Sequence, residues 1–324
     1  MIIMILAQLS GCTVGDTEYV LDLNTVGRND ILSINGEECS QEEAKLYLCN
    51  YQNLYGTEYG VNLWNCQFPT EGLPCSLEEY VKDITILQLS NIMCMNQLAE
   101  QKGISLNSEE LSLVKETATA YYKSLSKAEL SYIGMDKNDL EDFYEKYALA
   151  QKLYHTLTQG VNEEVSLDEA RVIRIEQIHV TSLEKANEVQ KKLEAGDKFT
   201  NVAGAYNEAV TVETTVVRGQ LPKAVEDVAF TLDNEAQSGM IKAEHGYYFV
   251  KCLSKNEEEL TEKRKEDIIM KRRKEQFDDV FSAFVDESEF VINQKAWDKI
   301  TVDTSGEIKT NSFFEVYDTY FTKE

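Results

Sequence analysis

Three histidines and seven cysteines are the side chains best suited to metal binding or nucleophilic chemistry in this 324-residue sequence. Their spacing supports neither. No Cys-x-x-Cys pair occurs, so a thiolate zinc site or a dithiol redox centre has no basis, and three histidines are too few for an imidazole cluster. A Gly-x-Gly-x-x-Gly turn, a phosphate-cradling Gly-Lys-Ser/Thr loop and a Gly-x-Ser-x-Gly elbow are absent as well. No metal and no cofactor are therefore expected. Fifty-seven acidic residues against 32 basic ones leave a formal charge of −25, which repels nucleic acid and removes it from the expected partners. The run Lys271-Arg-Arg-Lys274 reads as the solvated face of a charged helix rather than as an anion site.

Cysteine chemistry of a different kind is written at the start. Residues 1–11 form an uncharged apolar run, too short for the roughly 20 residues of a membrane-spanning helix. The run ends in Leu9-Ser-Gly-Cys12, which looks like a bacterial lipoprotein signal, although no Lys or Arg precedes it. Small residues beside the scissile bond admit the peptidase, and the Cys12 thiol receives the lipid. Two or more acyl chains then give a stable membrane anchor, so an extracytoplasmic, lipid-anchored location is expected. An exported chain permits disulfides, and Cys66 and Cys75 flank a Pro69/Pro74 loop. Free or buried thiols are nevertheless the favoured state of the six remaining cysteines.

The elements that must position any site fall into blocks. Residues 12–30 are a polar tether. Residues 31–166 read as helical after a short strand, Ile31–Ile34, and an Asn35-Gly36 turn. Ser40 with Glu43, and Asn107 with Glu110, are N-cap pairs. Tyr80, Ile84, Leu87, Met95 and Leu98 mark one face of a long helix, and Leu140, Phe143, Tyr147, Ala150, Leu153 and Leu157 a face of another. A stripe at this spacing is expected in the core, so neither is assigned chemistry. Residues 167–255 change character: a strand from Ala170 to Val180, three short helices, then an apolar strand from Tyr247. Residues 256–324 are a charged helix and a tail whose Trp297 and Phe313-Phe314 should dock on the N-terminal segment. The expected fold class is α+β, a mainly helical module made of both chain ends with a small α+β domain inserted.

The inserted block carries a resemblance. Gly196-Asp-Lys-Phe199 with Ala203-x-x-Tyr206, followed in order by Arg218-Gly-Gln-Leu221, Glu226, Ala229-Phe230, Ser238-Gly239 and Gly246-Tyr247, resembles the parvulin-type prolyl isomerases. Ile34-Asn-Gly-Glu37 with the Gln-Glu-Glu helix start is similar to the opening of foldases of the PrsA and SurA type. The resemblance implies a chaperone module from the two helical segments, around a parvulin-like domain at 167–255.

The resemblance also implies where catalysis would sit. Active parvulins hold two histidines and a Cys or Asp beside an apolar proline pocket. The first histidine position falls on Gln177, with His179 two residues later and on the same side of the strand. The second falls on Tyr248, and the Cys/Asp position on Ala209, beside Glu208. The glycine-rich loop of the family is replaced by the shorter Val210–Thr215. The pocket positions are Leu221, Phe230 and Val225, the last in place of a family Phe. His179, Glu208 and Tyr248 are thus the catalytic candidates. Gln177, Leu221, Val225, Phe230 and Tyr248 are the expected substrate-binding residues.

Isomerisation must lower a barrier of about 18–20 kcal/mol without removing a proton from the substrate. It does so by binding the twisted amide through oriented hydrogen bonds. Loss of both histidines and the Cys/Asp removes most of these, while an apolar cleft still binds an extended chain. The expected function is a membrane-anchored chaperone for unfolded secreted polypeptides, weak or inactive as an isomerase; a homodimer is one assembly it leaves open. An active isomerase and a surface lipoprotein with one fixed partner are the alternatives.

Overall fold

Five helices open on the same local device. In the computed structural model, which describes residues 27, 29–60, 63–68 and 75–322, helices α1 (Gln41–Tyr59), α2 (Leu77–Gln101), α3 (Ser108–Ser124), α4 (Lys127–Ile133) and α5 (Lys137–Thr158) each begin with a capping box. Ser40, Ser76, Asn107, Ser126 and Asp136 each accept the N–H three residues on. The acid at that position, Glu43, Glu79, Glu110, Glu129 or Asp139, accepts the cap's own N–H in return. Each cap satisfies donors the helix cannot, a contribution of about 1 kcal/mol. The segment 1–11, Cys12, most of the tether and the Pro69/Pro74 loop lie outside the described residues.

The chain forms two compact units. The larger combines residues up to Gln159 with Lys274 onward, and the smaller is Gly160–Arg273. The fold class is α+β, as the sequence indicates: a mainly helical unit from both chain ends, with a small α+β unit inserted.

A three-stranded sheet stitches the two ends together. Strand β1 (Asp30–Ile34) turns through Asn35 and Gly36, at φ 52° and 87°, into β2 (Glu37–Ser40). Two consecutive positive φ values are what an Asn-Gly hairpin turn supplies. A two-stranded ribbon, β3 (Gln67–Phe68) with β4 (Cys75–Ser76), precedes α2. On its other edge β1 pairs antiparallel with a strand from residues Phe290–Ile292, some 250 residues later in the chain. Further C-terminal residues fill the helical core. Phe313 stacks on Tyr144, with ring centroids 4.2 Å apart and 8° from parallel, and Tyr47, Tyr121 and Tyr147 surround it at 5.5–5.9 Å. Its backbone is held too: Tyr144 Oη donates to Phe313 O at 2.9 Å, and Phe313 N donates to Asn50 Oδ1 at 3.1 Å.

One expected core face is only partly in the core: Met95 and Leu98 are buried, but its N-terminal half is not. On α2 the buried side is Val81, Thr85, Leu89, Ile92 and Met95, whereas Tyr80 is exposed and Ile84 and Leu87 are half-buried. Both stripes have helical spacing, and tertiary packing, not periodicity, selects between them.

The smaller unit begins with a correction of the same kind. Ala170 closes a one-turn helix, α6 (Leu167–Ala170), capped by Ser166, and the strand β5 runs only from Ile173 to Val180. Helices α7 (Leu183–Glu194) and α8 (Phe199–Tyr206) follow, then β6 (Glu213–Val216), α9 (Lys223–Ala229), β7 (Ile241–Ala243) and β8 (Gly246–Ser254). The four strands form one antiparallel sheet in the order β6-β5-β8-β7. Ile178, Val180 and Phe249 bury one face against α7 and α8, and Ile173, Ile175 and Val250 bury the other against Val225 and Ala229 of α9.

Helix α10 (Glu258–Asp286) runs from the smaller unit into the larger, where Phe277, Phe281 and Val285 are buried. Strand β9 (Phe290–Ile292), α11 (Gln294–Trp297) and α12 (Phe313–Phe321) complete the chain. The basic run is spent internally. Arg272 donates to Asn162 O, Glu164 O and Glu169, and Arg273 pairs with Glu163. Cys39, Cys49, Cys66, Cys75, Cys94 and Cys252 are free thiols. Among the described residues no helix is long and apolar enough to cross a membrane.

Candidate functional site

The two central strands of the smaller unit place the candidates. In the β5–β8 ladder His179 faces Tyr248, and Gln177 faces Val250. Side chains alternate along a strand, so Ile173, Ile175, Gln177 and His179 share one face. The apolar end of this face is covered by α9. Toward Val180 it becomes polar and half-open at Gln177, His179 and Tyr248.

His179 and Tyr248 are in direct contact, their rings stacked with centroids 4.5 Å apart and 27° between planes. His179 Nε2 lies 2.9 Å from His245 O. A carbonyl only accepts, so this bond requires the proton on Nε2. Gly246 makes the approach possible. It sits at φ 135°, and a Cβ there would stand 2.4 Å from Val180 O and 3.1 Å from His179 Nε2. Burial raises the Tyr248 phenol above its ordinary pKa, so it is a neutral O–H at physiological pH. Among the described residues its hydroxyl makes no hydrogen bond. The Gln177 amide donates to Thr211 O at 3.2 Å.

Glu208 does not join them. Its Oε2 accepts from the N–H and the hydroxyl of Thr181, both at 2.8 Å, and its Oε1 pairs with Lys185. The Lys185 hydrogen bond first, then those from Thr181, hold its carboxyl at about 2, so it stays ionised. Its backbone N–H donates to His179 O. Glu208 therefore fastens the end of β5 to the start of α7. Ala209 offers no side-chain donor, and Val210 after it is fully exposed.

Leu221, Val225, Phe230 and Tyr248 belong to one apolar cluster, but they are not equally reachable. Val225 is 0% exposed and Phe230 4%, while Leu221 and Tyr248 are half-buried. Phe230 is covered by two guanidinium groups, Arg218 at 4.2 Å and Arg171 at 5.1 Å from the ring centroid. Asp168 holds both: Arg218 Nη2 donates to its two oxygens at 2.8 and 3.1 Å, and Arg171 Nη2 donates to Oδ1 at 3.0 Å. The Arg218 hydrogen bond in turn keeps the Asp168 carboxyl below its ordinary range. Asp168 and Arg171 were not among the sequence candidates. The only local signal is their i, i+3 spacing, since Arg218 lies 50 residues away.

The accessible strip is thus Gln177, His179, Leu221 and Tyr248: apolar flanks with amide, imidazole and phenol donors. No carboxylate among the described residues shares it with the imidazole. Among the described residues no group of three His, Cys, Asp or Glu side chains is placed to hold a metal ion.

The chain resembles foldases of the PrsA type. Foldase protein PrsA of Clostridium botulinum (strain Loch Maree / Type A3) is 20% identical over 302 residues, covering 84% of this chain and 89% of that protein. Foldase protein PrsA 1 of Listeria monocytogenes serotype 4b (strain F2365) is 28% identical over 103 residues, 30% of this chain and 35% of the relative, so that match spans about a third of its length. Among solved structures, peptidylprolyl isomerase PrsA of Bacillus cereus matches 79% of this chain and 99% of its own at 18% identity, with a TM-score of 0.36. No family model matches the chain.

Proposed function

We propose that the protein is an extracytoplasmic chaperone of the foldase class that holds unfolded or partly folded secreted polypeptides and is weak or inactive as a prolyl isomerase. Two curated relatives named as foldases support the class. On this reading residues 31–166 and 256–324 form the chaperone module, 167–255 form a parvulin-like domain, and a lipid on Cys12 tethers the chain through the 12–30 segment. Gln177, Leu221 and Tyr248 contact the bound chain at the strip, with Val225 and Phe230 supporting it from beneath.

The separation of the polar groups carries the claim of weak catalysis. His179 is engaged with Tyr248 and His245 O, and Glu208 with Thr181 and Lys185. Isomerase power comes from donors aimed together at the twisted amide, and one such donor is worth about 3 kcal/mol. Tyr248 favours a second reading, an active isomerase, because its hydroxyl has no hydrogen-bond partner among the described residues and faces the strip.

A refolding assay limited by an X–Pro bond, run beside an aggregation assay on an unrelated client, tests the proposal. Suppressed aggregation with an X–Pro rate close to the uncatalysed one is expected. A rate comparable to an active parvulin, lost in Tyr248→Phe, would establish the second reading instead.

A further inference from the structure

The N-terminal half of the α2 stripe that periodicity assigns to the core forms one wall of a groove. Tyr51 and Tyr55 of α1 face Tyr80, Asp83, Ile84 and Leu87 of α2 across about 280 Å³. Tyr51, Tyr55 and Tyr59 form a ladder along α1, with successive ring centroids 6.4 Å apart, and Tyr80 meets Tyr55 edge-on at 5.7 Å. The volume is below the roughly 300–1,000 Å³ of small-molecule pockets. The groove suits side chains of a polypeptide laid across it.

Its one acid sets the sign of the visitor. Asp83 has no ion-pair partner among the described residues. Its neighbour Lys82 is turned elsewhere, donating to Trp297 O at 3.1 Å and Ile300 O at 2.7 Å with its ammonium 4.8 Å from the Trp297 ring centroid. Partial desolvation by the groove walls first, then the nearby Glu79 charge, raises the carboxyl of the otherwise exposed Asp83. A cation beside it would relieve both effects, and tyrosine faces attract cations in addition. Lys82 over Trp297 already shows this chemistry within the same unit.

We infer that the Tyr51–Tyr55–Tyr80 groove binds an extended client segment carrying Lys or Arg among apolar residues, the cation lying against Asp83 and the tyrosine faces. The inference rests on the chaperone reading and names a client chemistry for the helical unit. An anionic or purely apolar segment lacks the complementary charge. The aliphatic stem of Lys or Arg contacts Ile84 and Leu87 while its head reaches Asp83.

The test is fluorescence anisotropy with the full chain and two labelled peptides of equal length, one of Lys, Leu and Pro, the other with Glu for each Lys. The Lys peptide should bind and the Glu peptide should not. Asp83→Asn and Tyr80→Ser, both substitutions at exposed positions, should each weaken the Lys peptide about fivefold or more, and added salt should erase the Asp83 effect. Equal binding of the two peptides, or unchanged affinity in both variants, overturns the inference. So does binding that appears only after residues 1–26 are removed, since the chain's own segment would then fill the groove. Aggregation suppression by the unsubstituted protein is measured in parallel. If it holds while the variants bind normally, only the groove assignment falls. If the protein neither suppresses aggregation nor binds peptide, the chaperone reading falls with it.

Discussion

Glu208 accepts both the backbone N–H and the hydroxyl of Thr181, each at 2.8 Å, and so closes the end of β5 onto the start of α7. This bond explains why the carboxylate among the catalytic candidates is not the chemical partner of His179. Its folded pKa, about 2, lies below the ordinary carboxylate value of about 4.3. A depressed carboxyl contributes stability that is fully present above the unfolded pKa and is lost as pH falls through the folded one. Glu208→Gln should therefore melt below the unsubstituted protein at neutral pH, and the difference should shrink between about pH 4 and pH 2. Thermal melts across that range check it, and a gap that is constant with pH would contradict the assignment.

Gly246 is required by contact and by conformation together. Gly246→Ala places a methyl 2.4 Å from Val180 O at φ 135°, and the obstacle is backbone that cannot swing aside. The variant should lose about 1–3 kcal/mol in urea unfolding of the smaller unit and disturb the His179–Tyr248 stack. Stability within about 0.5 kcal/mol of the original would show that the β8 start relaxes freely.

The C-terminal segment is locked by an aromatic and a carboxylate. Phe313→Ala empties a site fully enclosed by aromatic rings and should cost about 3–5 kcal/mol. Glu129 accepts N–H bonds from Lys309 at 2.8 Å and Thr310 at 2.7 Å, besides closing its own helix cap. Burial pushes its carboxyl up, but the bonds from Ser126, Lys309 and Thr310 outweigh it and leave the pKa lowered. Glu129→Gln should loosen residues 309–310, seen as faster amide exchange there than in α1. Unchanged protection would separate Glu129 from the docking of this segment.

Local signals carried much of the fold. The capping pairs Ser40–Glu43 and Asn107–Glu110 act within three residues, and the Asn35-Gly36 turn is built from two. A pattern of that range is complete in the sequence. Of the stripe Tyr80, Ile84, Leu87, Met95 and Leu98, the last two are enclosed and the first three are not, because α2 carries apolar residues on several sides and its neighbours decide which are covered. Ala170 reads as strand in the sequence but closes a one-turn helix that the Ser166 cap starts and the Asp168–Arg171 pair spans, just before β5. At the site, strand alternation puts Gln177 and His179 on one side, whereas Tyr248 enters only through the resemblance and meets His179 in the β5–β8 ladder. The covering of Phe230 depends on Asp168, Arg171 and Arg218, which only the folded chain brings side by side.

The chaperone claim is tested most directly on one preparation of the full chain. Its effect on the rate of an X–Pro-limited refolding reaction is compared with its effect on aggregation of the same unfolded client. Aggregation suppressed at stoichiometric protein, with the slow phase unaccelerated and indifferent to His179→Ala and Tyr248→Phe, is the predicted result. Acceleration at substoichiometric protein that disappears in either variant would contradict it.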